Sequence, residues 1–333
     1  MTSTADHRDS GAEPILTRAA QQSSAPSSAG RIEREVQKVI DGKNHVITAA
    51  LTVLLAEGHL LVEDVPGVGK TQLARALAAA IGGTVHRIQF TPDLLPSDIT
   101  GVSIYDQTTR EFEFKPGPIF SNIVIADEIN RASPKTQSAL LECMEEGQVT
   151  VDGTTYPLPK PFLVVATQNP IDMEGTYALP EAQRDRFMAR LAIGYPDEDA
   201  ELHMVQARER RAPLESVERA LDDDALLALI DRVHEVRTHE LVERYAVALS
   251  RATRTHPRVK VGASPRATLQ LIRAAKAAAI IDGRSWLAPD DVKRLARVVL
   301  PHRLVMNDGV FGIDQALAAV EDVLAQVIAP RVR

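Results

Sequence analysis

The 333-residue sequence contains one cysteine, Cys143, so no disulfide can form within the chain and a disulfide-stapled secreted scaffold is excluded. Long apolar runs are also missing. Stretches such as Ile47 to Ala56 and Ala274 to Ile281 fall well short of the ~20 residues that cross a bilayer, so no membrane span is expected. The first residues, with Asp6, His7, Arg8 and Asp9, carry no apolar segment behind a basic start, which reads against a secretory signal. Positive charge is in the minority, 38 Lys and Arg against 45 Asp and Glu for a net charge of −7, so no global basic field exists to hold nucleic acid. Together these absences make the cytoplasm the expected compartment.

What is present is an ordinary globular composition, 44% hydrophobic and 25% charged, in a length that fits roughly two domains. Residues 1–30 are the exception: rich in Ser, Ala, Gln and Thr, they bury too little to offset their ordering entropy and read as a disordered tail. From Arg31, the residues Ile32, Val36, Val39 and Ile40 recur at helical spacing, and a second apolar helix is expected over about His45 to Glu57. Leu60-Leu61-Val62 then leads through a glycine loop into a helix over Gln72 to Ile81. Val85 to Phe90, Ile123 to Ala126 and Phe162 to Ala166 read as further buried strands, with a helix Pro134 to Glu146 between the last two. This alternation predicts an α/β core over 31–195, a parallel sheet flanked by helices with its ligands beyond the carboxyl ends of the strands. After Tyr195 the strand signal stops. Helical patterns at Leu221 to Val236, Leu241 to Thr255, Pro265 to Ile281 and Pro289 to Val299 predict a smaller all-helical domain over 196–333.

The loop Asp64-Val65-Pro66-Gly67-Val68-Gly69-Lys70-Thr71, between strand and helix, fits a phosphate cradle. Small residues let backbone N–H groups close around a β-phosphate and the helix N-terminus adds its dipole; Lys70 reaches the β and γ oxygens and Thr71 can hold Mg²⁺. Asp64 stands where the general pattern has its first glycine, so the start of the loop must be built differently. Downstream, the strand Ile123 to Ala126 ends in Asp127-Glu128, two acids that fit a metal shell and a water-polarising group. The next strand ends in Ala166-Thr167-Gln168-Asn169-Pro170, where Asn169 is either a γ-phosphate contact or a turn residue before proline. Arg184 and Arg186 follow in Glu181-Ala182-Gln183-Arg184-Asp185-Arg186-Phe187; each is a candidate to neutralise transition-state charge in a neighbouring subunit or a member of a surface ion pair.

Taken together, Leu61 to Thr71, Ile125 to Ala132, Ala166 to Pro170 and Leu179 to Phe187 resemble the MoxR family of AAA+ ATPases, from about Arg31 to the C-terminus. Asp64 is itself familiar in that family. The resemblance implies a P-loop AAA+ core followed by a helical lid, ATP and Mg²⁺ as ligands, and ATP hydrolysis. It implies a Walker A segment at Gly67, Val68, Gly69, Lys70, Thr71 and Gln72, a Walker B pair at Asp127 and Glu128 with Thr71 and Asp127 on the metal, sensor 1 at Asn169 and an arginine finger at Arg186. In Gly262-Ala263-Ser264-Pro265-Arg266-Ala267 it implies sensor 2 at Arg266, serving either its own subunit or the next. Val39-Ile40-Asp41-Gly42 resembles the segment lining the adenine pocket, although Gly42 as a helix cap reads equally well. Two hairpins, at Val102 to Lys115 and at Gln148 to Tyr156, resemble inserts that meet substrate or partner, or else cover the sheet edge.

From the resemblance follow a homo-oligomeric ring, expected to be a hexamer, a protein client remodelled or matured by ATP turnover, and a von Willebrand factor A domain partner. A nucleic-acid motor and a non-hydrolysing nucleotide-gated scaffold are the rival readings; the acidic balance weighs against the motor. Cys143 is expected in the core, Trp286 as a packing anchor, His234 and His239 as solvated, and Arg208 to Arg211 as a solvated helix end.

Overall fold

The computed structural model describes residues 27–65, 67–168, 177, 179–202, 213–307 and 313–331. Most of the expected tail, Asn169 and the basic run at 208–211 lie outside these. The first helix, α1 (Ser28–Gln37), starts before the expected boundary at residue 30, because the Ser27 hydroxyl accepts the Gly30 amide at 3.1 Å and caps it. Ala29, Ile32 and Val36 form its buried stripe, packed on α2 (Asn44–Leu55) and α3 (Lys70–Ile81).

Five strands, β1 (Leu60–Glu63), β2 (Val85–Gln89), β5 (Ile123–Asp127), β8 (Leu163–Gln168) and β9 (Ala189–Leu191), form one parallel sheet in the order β2-β5-β8-β1-β9. Side-chain alternation divides the core in two. Leu60, Val62, Ile123, Ile125, Leu163 and Val165 pack under α1 to α3, whereas Leu61, Val124, Ala126, Val164 and Ala166 pack against α5 (Pro134–Glu146) and Phe187. β2 departs from the expected fully buried strand. It is an edge strand, so His86, Arg87 and Gln89 face water and Ile88 alone within it is buried.

A short helix, α4 (Pro96–Thr100), precedes the expected first hairpin, β3 (Gly101–Asp106) with β4 (Glu111–Pro116). The second hairpin joins β6 (Gln148–Val151) to β7 (Thr154–Pro157), with Asp152 at φ 50° and Gly153 at φ 80°, the left-handed pair a two-residue turn demands. After α6 (Glu181–Arg184) and β9 comes the second domain: α7 (Asp223–His234), α8 (Glu240–Arg254), α9 (Pro265–Ile281), α10 (Pro289–Val299) and α11 (Ile313–Gln326). It is not wholly helical. β10 (Val259–Val261) pairs antiparallel with β11 (Val305–Met306), a small ribbon whose three- and two-residue strands are too short to leave a period-2 pattern. Trp286 corrects the packing expectation. It is half exposed, its ring under the Arg284 guanidinium at 5.2 Å, because Arg284 is already fixed by Asp282 and Asp291. His234 pairs with Glu57 and His239 accepts the Leu241 amide at the start of α8, so both stay at the surface.

Candidate functional site

In a parallel sheet the carboxyl ends of the strands lie together, and the register here aligns Glu63 with Gln168 and Gln89 with Asp127. Immediately beyond Glu63 the chain turns into α3 through Gly67 (φ 87°) and Gly69 (φ 94°). A Cβ built at Gly67 meets nothing within 4 Å, so the loop is an open cradle at the helix N-terminus, and the left-handed conformations explain why glycine is needed. Gly69 caps α3 and faces Ile40, whose Cδ1 is 3.8 Å from a Cβ position there. Gly42, at φ 70°, lies over Asp197 rather than over the loop, and the residue capping α1 is Lys38, so Gly42 is not the helix cap.

Asp64 answers how the loop starts without its usual glycine. Its carboxylate accepts backbone amides from Val65 at 2.8 Å, Ile193 at 2.6 Å and Gly194 at 2.7 Å, tying the loop to the chain leaving β9. Lys70 Nζ donates to the Asp64 carbonyl at 2.6 Å and to the Gln168 carbonyl at 3.4 Å. Partial burial pulls its pKa down, against the attraction of Asp64, Asp127 and Glu128. Thr71 follows it, half-buried, and Gln72 is exposed.

Asp127, the last residue of β5, accepts Thr167 Oγ1 at 2.5 Å on one oxygen and Arg87 Nη2 at 2.5 Å on the other. Glu128 adopts φ 57°, a left-handed conformation that costs a non-glycine residue about 1–3 kcal/mol and clusters at functional sites. The Thr167 hydroxyl accepts its amide at 3.0 Å; Gln89 Nε2 at 2.9 Å and Arg131 Nη1 at 3.1 Å hold its carboxylate. Lys70, Thr71, Asp127, Glu128 and the glycine loop are therefore together at one end of the sheet. An open amide cradle, an ammonium, a hydroxyl and two carboxylates form a donor set that fits a nucleoside triphosphate and a hard divalent cation.

Arg186 and Arg266 are elsewhere. Arg186 precedes β9, whose first residue, Ala189, pairs with Leu60 at the amino end of β1. Its Nη1 donates to the Leu141 carbonyl at 2.7 Å and pairs with Glu145 at 2.8 Å, and Arg266 pairs with the same carboxylate at 2.8 Å. Arg184 is buried, its pKa lowered by desolvation against the attraction of Glu63 and Glu181.

The sequence pattern of the ATPase family associated with various cellular activities (AAA) matches residues 59–189, and that of the AAA lid domain matches residues 251–331. The chaperone MoxR1 of Mycobacterium tuberculosis is 43% identical over 282 residues, 82% of this chain and 74% of that protein. The chain belongs to the MoxR family of AAA+ ATPases. YeaC of Bacillus subtilis, itself uncharacterised, is 49% identical over 302 residues, covering 90% and 94% of the two chains. A solved structure from Cytophaga hutchinsonii, provisionally described as an ATPase, superposes with a TM-score of 0.83 at 40% identity, over 91% of this chain and 96% of that one.

For a MoxR-family ATP hydrolase, three residues at the site are not singled out by the sequence. Thr167 bridges Asp127 and the Glu128 amide and is 2% exposed; its signal was a hydroxyl in an otherwise apolar strand. Arg87 and Gln89, polar residues two apart on the wet edge strand, reach across to the same acids. Cys143 is buried as expected, and burial pushes its thiol up to about 12, so it is no nucleophile. Among the described residues no helix is long and apolar enough to cross a membrane, and no group of three or more acidic, His or Cys side chains could hold a metal.

Proposed function

We propose that this ATPase works as a ring, a hexamer, in which Arg186 and Arg266 of one subunit reach the ATP held at Lys70 of the next. Turnover then drives chaperone-like remodelling or maturation of a protein client, in company with a protein bearing a von Willebrand factor A domain. The observation that carries this reading is the separation of the two ends of the sheet. The four residues of β1 alone put about 13 Å between them, with Lys70 beyond one end and Arg186 before the other. Arg186 turns toward the last turns of α5, away from its own phosphate loop, and Arg266 shares its carboxylate partner. A guanidinium placed there has a nucleotide to serve only in a neighbour.

Within each subunit, Gly67, Val68, Gly69 and Lys70 cradle the phosphates beside Thr71 and Gln72, while Ile40 and Gly42 border the base. Thr71 and Asp127 would hold Mg²⁺, which supplies neutralisation of phosphate charge when bound. Glu128 polarises the attacking water, its carboxylate oriented by Gln89, and Asn169 contacts the γ-phosphate. The name of the mycobacterial relative supports a chaperone role. So does the first hairpin, which presents Val102, Ile104, Tyr105 and Phe112 to solvent, with Phe112 73% exposed.

The test is subunit mixing. Glu128→Gln should bind ATP as the parent does yet release phosphate ~100-fold more slowly or worse. Arg186→Ala rings should be inactive, and adding Glu128→Gln subunits should restore turnover, because those supply intact arginines to intact neighbouring sites. Mixtures that stay inactive would overturn the ring reading. Client and partner are read from proteins retained by Glu128→Gln in ATP and released in ADP; retention of no von Willebrand factor A domain protein would count against that partner.

A further inference from the structure

Glu145 lies in the last turn of α5, and both of its oxygens are engaged: Oε2 with Arg186 at 2.8 Å and Oε1 with Arg266 at 2.8 Å. Its position runs against helix electrostatics. The C-terminal turn carries the negative end of the helix dipole, α5 has no basic residue in that turn, and a carboxylate there is disfavoured unless cations approach from outside. Here two guanidinium groups do, one from the segment before β9 and one from the second domain. The carboxylate in turn separates two like charges that would otherwise repel.

Everything around this fork is fixed. On the α5 side, His59 is fully enclosed. Its Nδ1 accepts the Val164 amide at 3.0 Å and its Nε2 donates to the Met144 carbonyl at 3.0 Å, bolting the residue before Glu145 to the sheet. On the arginine side, Ser264, two residues before Arg266, donates to the Asp185 carboxylate at 2.8 and 3.0 Å. The buried Arg303 guanidinium donates to the Phe187 carbonyl at 2.5 Å and also to Gln270 on α9. The backbone on both sides of Arg186 is thus clamped to the helix that carries Arg266, and what the clamp leaves to be placed is the two long side chains, of which Arg186 also donates to the Leu141 carbonyl at 2.7 Å.

We infer that Glu145 is the positioning residue that holds Arg186 and Arg266 side by side, as one unit aimed at the neighbouring subunit's triphosphate. The inference rests on the trans reading above. Each guanidinium has five N–H donors in a planar fork, so one edge can stay on Glu145 while the other meets phosphate oxygens. All three side chains are roughly one-third exposed, open enough for a neighbour to reach. Removing the carboxylate leaves Arg186 on the Leu141 carbonyl but uncouples it from Arg266, so the two guanidinium groups are no longer held as a pair.

The isosteric Glu145→Gln tests this. Homomeric rings should lose ~10- to 100-fold in kcat, the penalty for a displaced catalytic group, while binding of a non-hydrolysable ATP analogue stays within about twofold. Adding Glu128→Gln subunits should restore turnover to the Glu145→Gln sites, since their neighbours then carry a correctly held pair. A second readout needs no turnover: in the Glu128→Gln background, Glu145→Gln should raise several-fold the subunit concentration at which ATP-bound rings form, measured by sedimentation. Parent-like or higher kcat, or a loss that mixing does not repair, would overturn the inference. Arg186→Ala and Arg266→Ala run in parallel separate the two failures. If they are rescued by mixing and Glu145→Gln is silent, only the role of Glu145 falls; if they are not rescued, the trans reading falls with it.

Discussion

Asp64 replaces a loop glycine and takes three backbone amides onto one carboxylate, from Val65, Ile193 and Gly194 at 2.6–2.8 Å. Asp64→Ala leaves three half-buried donors without their acceptor. A hydrogen bond to a charged group is worth about 1.5–3 kcal/mol, and solvent entering the site recovers part of the loss, so the net cost should be about 3 kcal/mol rather than the sum. The cost is local, because the carboxylate joins the end of β1 to the segment leaving β9. Hydrogen exchange at the Ile193 and Gly194 amides therefore reads it directly, and about 3 kcal/mol corresponds to exchange roughly 100-fold faster. Asp64→Gly, which restores the ordinary phosphate-loop residue, should behave like Asp64→Ala. Asp64→Asn keeps one acceptor oxygen and should fall between. Parent-like protection of both amides in Asp64→Ala would refute the assignment of Asp64 as a structural tie.

Thr167→Val removes the hydroxyl that binds Asp127 and the Glu128 amide while keeping side-chain shape. Phosphate release should fall ~10-fold or more and folding stability by about 1–3 kcal/mol, since the Glu128 amide and an Asp127 oxygen lose their partner, and an unaffected rate would remove Thr167 from the site. His59 gives a pH dependence of known sign. Burial lowers its pKa from 6.5 to about 4, so on acidification the unfolded chain binds a proton before the folded one does. Its contribution is complete above pH 6.5 and is lost between about 6.5 and 4, by about 3 kcal/mol in all. His302, buried with its pKa also lowered well below 6.5, adds in the same direction. In His59→Gln, unfolding free energy measured by urea titration should fall less steeply across that range; an unchanged slope would refute the buried neutral state.

The phosphate loop was legible because its chemistry forces particular residue types at fixed spacing: two glycines that must turn left-handed, then Lys70 and Thr71 at a helix start. Asp127 and Glu128 were legible because paired acids rarely end a buried strand without a task. Pro134 to Glu146 and Pro265 to Ile281 matched the observed helices residue for residue, since serine caps and first-turn prolines marked their starts. What stayed hidden depends on distance along the chain. Two of the three partners of Asp64 lie 129 and 130 residues away, and Arg266 meets Glu145 across 121 residues. Glu145 itself sits among Glu142 and Glu146 on one helix, where composition gives no hint which acid meets the two arginines. β2 was misjudged for a related reason: an apolar run shows strand propensity, while its place at the sheet's edge is decided by topology.

The parallel sheet has one further consequence. All five strands run the same way, so a protomer has a head, with the phosphate loop, and a tail, with Arg186 and Arg266. On the ring reading, productive contact joins the tail of one copy to the head of the next, which is a heterologous interface and not a self-complementary one. A two-fold symmetric pair, heads facing or tails facing, would complete no site. A head-to-tail pair completes one and leaves the other nucleotide unattended. Only closure makes the number of complete sites equal the number of subunits, so specific activity should climb with assembly size until the ring shuts and then stay level.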